Sequence, residues 1–338
     1  MKFDNFINFY DGALYLGVLV ELFFILSGFF MLPWVKRILG GVSGSDFGSF
    51  ASRRYRRILP MTALTVIVYE LICFIAWRFF PGAKSDWMVI NLWGAVTGIF
   101  CAQSGWCFTN PMINNPIWYI SVLCLCYIIF YFTTWLAGKL KTTPAYGYIA
   151  VMLIGFAVKM SGLDVPFANQ ESYRGYISFF EGTLLGMLLD ERDTDKTRYT
   201  VMSVGILAVT AYAFRNHFIG NYYAALLVFP PVIFLLLRKP VARLFSSKIW
   251  STIGNIQFHA YLWHVPILLV ADMLIKAGAK INTGTVGEMF LFAALVEAFA
   301  AFSYFVLEKN MDRVYCWIVP GEKTIVQPEE NTITNNEV

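Results

Sequence analysis

Apolar residues in this chain come in long unbroken runs, without the one-in-two spacing of a half-buried strand or the one-sided stripe of a soluble helix. The runs cover residues 14–34, 58–77, 87–101, 117–137, 146–158, 176–189, 200–214, 222–237, 256–275 and 287–307. A helix needs ~20 apolar residues to cross the ~30 Å hydrocarbon core of a bilayer. Inside that core only helices and closed barrels satisfy every backbone N–H and C=O. The pattern therefore predicts an all-α polytopic membrane protein with about nine or ten transmembrane helices. No segment between runs is long enough for a soluble domain. The membrane-embedded unit is expected over 1–319, and 320–338, polar and without apolar period, is expected to be disordered.

Charge orients the runs. The loop 35–57 carries Lys36, Arg37, Arg53, Arg54, Arg56 and Arg57, and the loop 138–145 carries Lys139 and Lys141 with no acid. Both belong on the cytoplasmic side. An even number of crossings must join them, so the run 87–101, loosened by Gly94 and Gly98, is expected to dip in from outside or lie at the interface. The nine remaining runs then alternate, with the N-terminus outside and the C-terminus inside. The segments placed inside hold more than two-thirds of the 26 lysines and arginines. The bias is weakest at 159–175. With 58% apolar and 14% charged residues, a soluble chain is excluded. The net charge of +4 sits in short loops and gives no reason to expect nucleic acid.

Chemistry has few candidates. A carboxylate near mid-membrane costs roughly 2.5–3.5 kcal/mol on insertion scales, which singles out Glu21, Glu70, Glu181, Asp272 and Glu297. Each either does chemistry or accepts a hydrogen bond between helices. Glu21 is the deepest in its run, and Ser27-Gly28 below it forms a small face where another helix can approach. Of the three histidines, His217 lies in an external loop. His259 and His264 flank Ala260–Trp263, and His264 could serve as a general base at neutral pH, with an ordinary pKa near 6.5, or as a structural group bonded across helices. Cys73, Cys101, Cys124 and Cys126 read as buried filler, with a Cys101–Cys107 disulfide as an alternative. No metal site, Ser-His-Asp spacing, phosphate loop or CxxC pair is present. Four arginines in Arg53-Arg54-Tyr55-Arg56-Arg57, at the mouth of a membrane helix, fix topology and suit a phosphate-bearing ligand.

Five pieces, in order, resemble the integral-membrane acyltransferase 3 family (O-acetyltransferase type). Gly17–Phe29 looks like its "VDLFFVLSGF" helix, with Glu21 for the usual Asp. Phe50–Pro60 looks like "F..RR..RI.P", and Asn115–Val122 is similar to "P.WSLSVE", with Leu123 for its Glu. Tyr261–Pro266 matches "YLWH.P", and Phe305–Lys309 matches the closing "iEkP", with Asn310 for its Pro. The resemblance implies transfer of an acyl group, often acetyl, from cytoplasmic acyl-CoA to a hydroxyl of a cell-surface or lipid-linked glycan, in the bacterial cytoplasmic membrane. It implies no permanently bound cofactor; acyl-CoA is the donor substrate, and its other partners are the saccharide acceptor and membrane lipids. Arg53, Arg54 and Arg57 would hold the CoA phosphates, and Trp118 and Ser121 would line the acyl path with Glu21. The family's first helix, with its arginine and catalytic histidine, has no counterpart ahead of Glu21, so the chain is expected to be N-terminally incomplete, with the base on the absent segment or, as the alternative within this chain, at His264. The alternative is a scaffold that binds or moves a glycan or lipid without acyl transfer.

Overall fold

The computed structural model describes residues 16–83, 88–106, 113–190, 197–279 and 286–311. Cys107 and the tail 320–338 lie outside the described residues. Helices α1 (Leu19–Phe29) and α2 (Leu32–Leu39) are separated by a single turn, with Pro33 in the first turn of α2. They are followed by α3 (Phe47–Phe79), α4 (Leu92–Ile99), α5 (Ile117–Leu140) and α6 (Ala145–Ser161). Then come α7 (Gln170–Asp190), α8 (Thr197–Arg215), α9 (Asn221–Leu236) and α10 (Lys239–Leu244). The last pair is α11 (Lys248–Lys276) and α12 (Val286–Phe302), which continues as a π-helical turn, Ser303–Glu308. No strand occurs among the described residues, so the all-α membrane architecture stands. Leu19–Leu39, α3, α5, α11 and Gly287–Met311 are each long and apolar enough to cross a bilayer, whereas α6 and α9 are apolar but shorter.

The run 87–101 does not fold as a span. Its helix, α4, has 8 residues, which rise about 12 Å against the ~30 Å core. Asn91 caps it by accepting from the Gly94 amide at 3.0 Å. Left-handed backbone at Cys101 and Ser104 then turns the chain. The free Cys101 thiol is buried, as are Cys73, Cys124 and Cys126.

The tightest seam joins α1 and α7, which run parallel. A Cβ on Gly28 would overlap the Phe179 carbonyl, and one on Gly182 would overlap the Ile25 carbonyl. The Thr183 hydroxyl adds a 3.2 Å bond to the Gly28 carbonyl. Lipid offers apolar helices no hydrophobic reason to associate, so close backbone packing through small residues does the work. Of the Ser27-Gly28 face expected from the sequence, Ser27 turns to Tyr119 of α5, while Gly28 forms part of this seam. Around it lies an aromatic core of Phe24, Phe50, Phe130, Tyr148, Phe179 and Phe180. Apolar side chains such as Leu71, Phe74, Val209 and Leu291 stay outward, as a lipid-facing surface requires.

Gly182→Ala should lower stability by about 1–3 kcal/mol, as overpacking does, and Gly205→Ala, with open space around it, should be neutral or slightly stabilising. Thermal unfolding of the detergent-solubilised protein measures both; equal midpoints for the two variants would refute the seam.

Candidate functional site

At the mouth of α3, Asp46 sets the helix start: its side chain accepts from the Ser49 amide at 3.0 Å and from the Ser49 hydroxyl at 2.7 Å. Those bonds hold its carboxyl below the usual carboxylate range, so the cap is present at neutral pH and is lost as pH falls through that lowered value. With 33 residues, α3 is about 50 Å long, so its first turns, which carry the arginines, can stand outside a ~30 Å core. Arg37, Arg53 and Arg54 gather over the Trp34 ring at 5.3, 5.8 and 5.9 Å from its centroid. Arg54 also lies over Tyr127 at 5.6 Å. Arg57 donates to Asn255 Oδ1 of α11 at 3.1 Å. These cation–π contacts steady the guanidiniums, whose N–H edges are the groups that match a phosphate.

Glu21 is 0% exposed. Arg174 of α7 grips it with two bonds, Nε to Oε1 at 2.5 Å and Nη2 to Oε2 at 2.9 Å, and Nη2 also donates to the Gly17 carbonyl at 3.0 Å. The Arg174 side chain is 17% exposed and its guanidinium lies 4.7 Å from the Trp118 ring centroid. Sequence reasoning missed Arg174. It was assigned to the loop 159–175, where the charge bias was weakest; that weakness was the signal, because Arg174 is a helical residue paired inside the protein.

From Trp118 the site continues along α5. The Tyr119 hydroxyl bonds Ser27 Oγ at 3.1 Å, and its ring packs on Tyr261 of α11 at 5.6 Å. Tyr261 donates to the Pro116 carbonyl at 2.8 Å. Ser121 is fully buried and its Oγ has no partner among the described residues. One helical turn beyond Tyr261, His264 Nδ1 lies 2.8 Å from the Tyr261 carbonyl. A carbonyl only accepts, so Nδ1 carries the proton and Nε2 keeps its lone pair. Glu21, Trp118 and His264 are thus joined through Tyr119 and Tyr261. The arginine mouth lies lower on α5 and α11, at Tyr127 and Asn255. About 13 Å of helix rise separates Asn255 from His264.

The remaining carboxylates lie elsewhere. Glu297 accepts from Gln257 across α11 and α12 at 2.9 Å, and Glu70 accepts from the Asn91 amide at 3.4 Å. His217 is exposed. His259, read from sequence only as a neighbour of His264, is fully buried and bonded to Ser303 and Glu308.

A family profile described as an acyltransferase domain, Acyl_transf_3, matches residues 2–307. No curated protein and no solved structure matches the chain.

Removing one partner of a buried ion pair strands the other, at a cost of about 3–5 kcal/mol. Glu21→Gln and Arg174→Met should each lose that much stability, and the double variant should lose less than the two losses summed. Strict additivity in thermal unfolding would show that the pair is not coupled.

Proposed function

The chain belongs to the acyltransferase 3 family and is a membrane-bound acyltransferase, and we propose that it carries an acyl group, acetyl first among the candidates, from cytoplasmic acyl-CoA to a hydroxyl of a cell-surface or lipid-linked glycan. The setting proposed is a bacterial cytoplasmic membrane, with residues 1–319 as the membrane-embedded catalytic unit. The observation that carries the reading is the arginine mouth: guanidinium groups gathered on Trp34 and Tyr127, at the end of the family-matched region's longest helix. Coenzyme A brings several phosphates, and Arg53, Arg54 and Arg57 supply planar donor edges for them.

With the nucleotide held there, the donor's extended arm points along α5 and α11 toward Tyr119, Ser121 and Tyr261. Burial of Ser121 with an unused hydroxyl leaves a hydrogen-bonding group for the acyl carbonyl inside an otherwise apolar wall. Glu21 acts through Arg174, which fixes the Trp118 ring as one side of the path. His264 Nε2 takes the proton of the acceptor hydroxyl as its oxygen attacks the acyl carbonyl, and the proton leaves with the CoA thiol. Positioned base catalysis of this kind contributes about 10²–10⁴ in rate.

A hydrogen bond to a charged group is worth about 1.5–3 kcal/mol, so Arg54→Ala and Arg57→Ala should each weaken acyl-CoA binding about 10–100-fold. His264→Gln should keep binding and lose transfer. Equilibrium binding of radiolabelled acetyl-CoA to the purified chain, with transfer to a glycan acceptor measured alongside, checks each part. Unchanged affinity in both arginine variants would sink the donor site.

A further inference from the structure

One turn inward from Asn255, α11 meets the π turn after α12, and His259 converges with Ser303 and Glu308, more than forty residues away in sequence. His259 Nδ1 lies 2.9 Å from Ser303 Oγ, and His259 Nε2 lies 3.1 Å from Glu308 Oε2. Trp263 Nε1 donates to Ser303 Oγ at 2.8 Å. The directions follow from the chemistry of the groups. Indole N–H can only donate and an ionised carboxylate can only accept. In the neutral ring whose Nε2–H faces Glu308, Nδ1 keeps its lone pair and the Ser303 hydroxyl donates to it. The chain Trp263 to Ser303 to His259 to Glu308 is complete, and the serine's proton points at a base.

Two features set this apart from an ordinary buried hydroxyl. Thr62, Thr134, Thr183 and Thr210 each donate back to a carbonyl of their own helix; Ser303 donates to an imidazole. The backbone is also shaped for it. Residues five apart on an α-helix stand about 140° around the axis, so Ser303 and Glu308 could not both reach one ring. The π winding of Ser303–Glu308, with its i to i+5 bonds, brings them to one face, and such turns recur at functional sites.

We propose that Ser303 is a nucleophile that accepts the acyl group from the donor thioester as a covalent ester, with His259 as its base and Glu308 as the positioning carboxylate. This rests on the acyl-CoA reading above and replaces direct transfer by two steps. Ser303 Oγ attacks the thioester carbonyl while its proton passes to His259 Nδ1. The C–S bond breaks, and the departing sulfur takes that proton as the CoA thiol. The acceptor hydroxyl, oriented by His264, then attacks the ester carbonyl while His259 Nδ1 takes its proton; the bond from that carbonyl to Ser303 Oγ breaks, and Oγ leaves with that proton as the free serine. A base oriented by a third group and within reach of a hydroxyl is the geometry of an activated nucleophile. The donor site is wired to it: Arg57 bonds Asn255, Asn255 Nδ2 donates to the Tyr304 hydroxyl at 3.4 Å, and the Tyr304 ring stands 5.7 Å from that of His259. Ser303 is 0% exposed, so a donor engaging Arg57 draws on the contacts of the residue beside the serine.

The full-length chain in detergent, mixed with radiolabelled acetyl-CoA and no acceptor, quenched in acid and mapped by peptide mass spectrometry, tests this. An acetyl ester on Ser303 is expected. It should be absent in Ser303→Ala, should become a hydroxylamine-sensitive thioester in Ser303→Cys, and should form about 10²–10⁴ times more slowly in His259→Ala. Glu308→Ala should slow ester formation without changing acetyl-CoA affinity, and Glu308→Asp should recover part of the rate. Arginine-dependent acetyl-CoA binding with no ester, and wild-type transfer by Ser303→Ala, would overturn the nucleophile and leave the donor site intact. If acetyl-CoA does not bind, the donor reading falls, and a fluorophosphonate probe decides for the serine: labelling of Ser303 lost in His259→Ala upholds it, and no labelling overturns it.

Discussion

A carboxylate in the apolar interior is tolerated only if its charge and its lone pairs are both answered, and the Glu21–Arg174 pair shows how much structure that requires. Two guanidinium bonds meet the two carboxylate oxygens, and the Gly17 carbonyl takes a further proton from Nη2. The guanidinium also lies 4.7 Å from the Trp118 ring centroid. Such an arrangement holds only if α1, α5 and α7 approach closely at fixed height. The glycines supply that approach: Gly28 and Gly182 bring the α1 and α7 backbones into contact, and Gly175 lets α7 sit against Val122 and Cys126 of α5. The small residues are therefore a geometric condition of the ion pair, and the position of Trp118 follows from it.

The cations of the mouth are handled differently because water is at hand. Lys36 and Asp190 form a pair at 2.8 Å with both side chains exposed, an interaction worth about 0–1 kcal/mol. The arginines instead share aromatic rings. A ring steadies a guanidinium without removing its charge, and Arg37, Arg53 and Arg54 share the Trp34 ring. Arg174, deeper in, has its charge answered by Glu21. Residue type is the same in both places; burial decides which arginine needs a carboxylate and which one can lean on a ring.

Much of the architecture was legible in the residues. Long apolar runs gave the helices, and the charge rule set the run 87–101 against the placing of both flanking loops inside, a choice the eight-residue α4 resolves for that run. The cost of a membrane carboxylate pointed to Glu21, but not to its partner, because Arg174 was read as a loop charge when its helix in fact begins at Gln170. The Ser303, His259 and Glu308 cluster was invisible for a physical reason. Its members are 44 and 49 residues apart, and α-helical periodicity places Ser303 and Glu308 on different faces. No spacing rule built on 3.6 residues per turn can anticipate a π turn, which depends on what α12 packs against.

Two carboxylates, one rule, two outcomes: the contrast between Glu21 and Glu308 explains why one is tied to a cation and the other to an imidazole. Glu21 has no water and would be untenable without Arg174. Glu308 has a side chain 34% exposed and meets the His259 ring at 3.1 Å, so it reaches both solvent and the imidazole. On the other side of that ring stands the Ser303 hydroxyl, 2.9 Å from Nδ1. A buried Trp263 and Ser303 at one end and a wet Glu308 at the other make a gradient from dry to aqueous along a single chain of hydrogen bonds. The proposed covalent step would place its charge separation at the dry end, with a carboxylate at the wet end of the same chain.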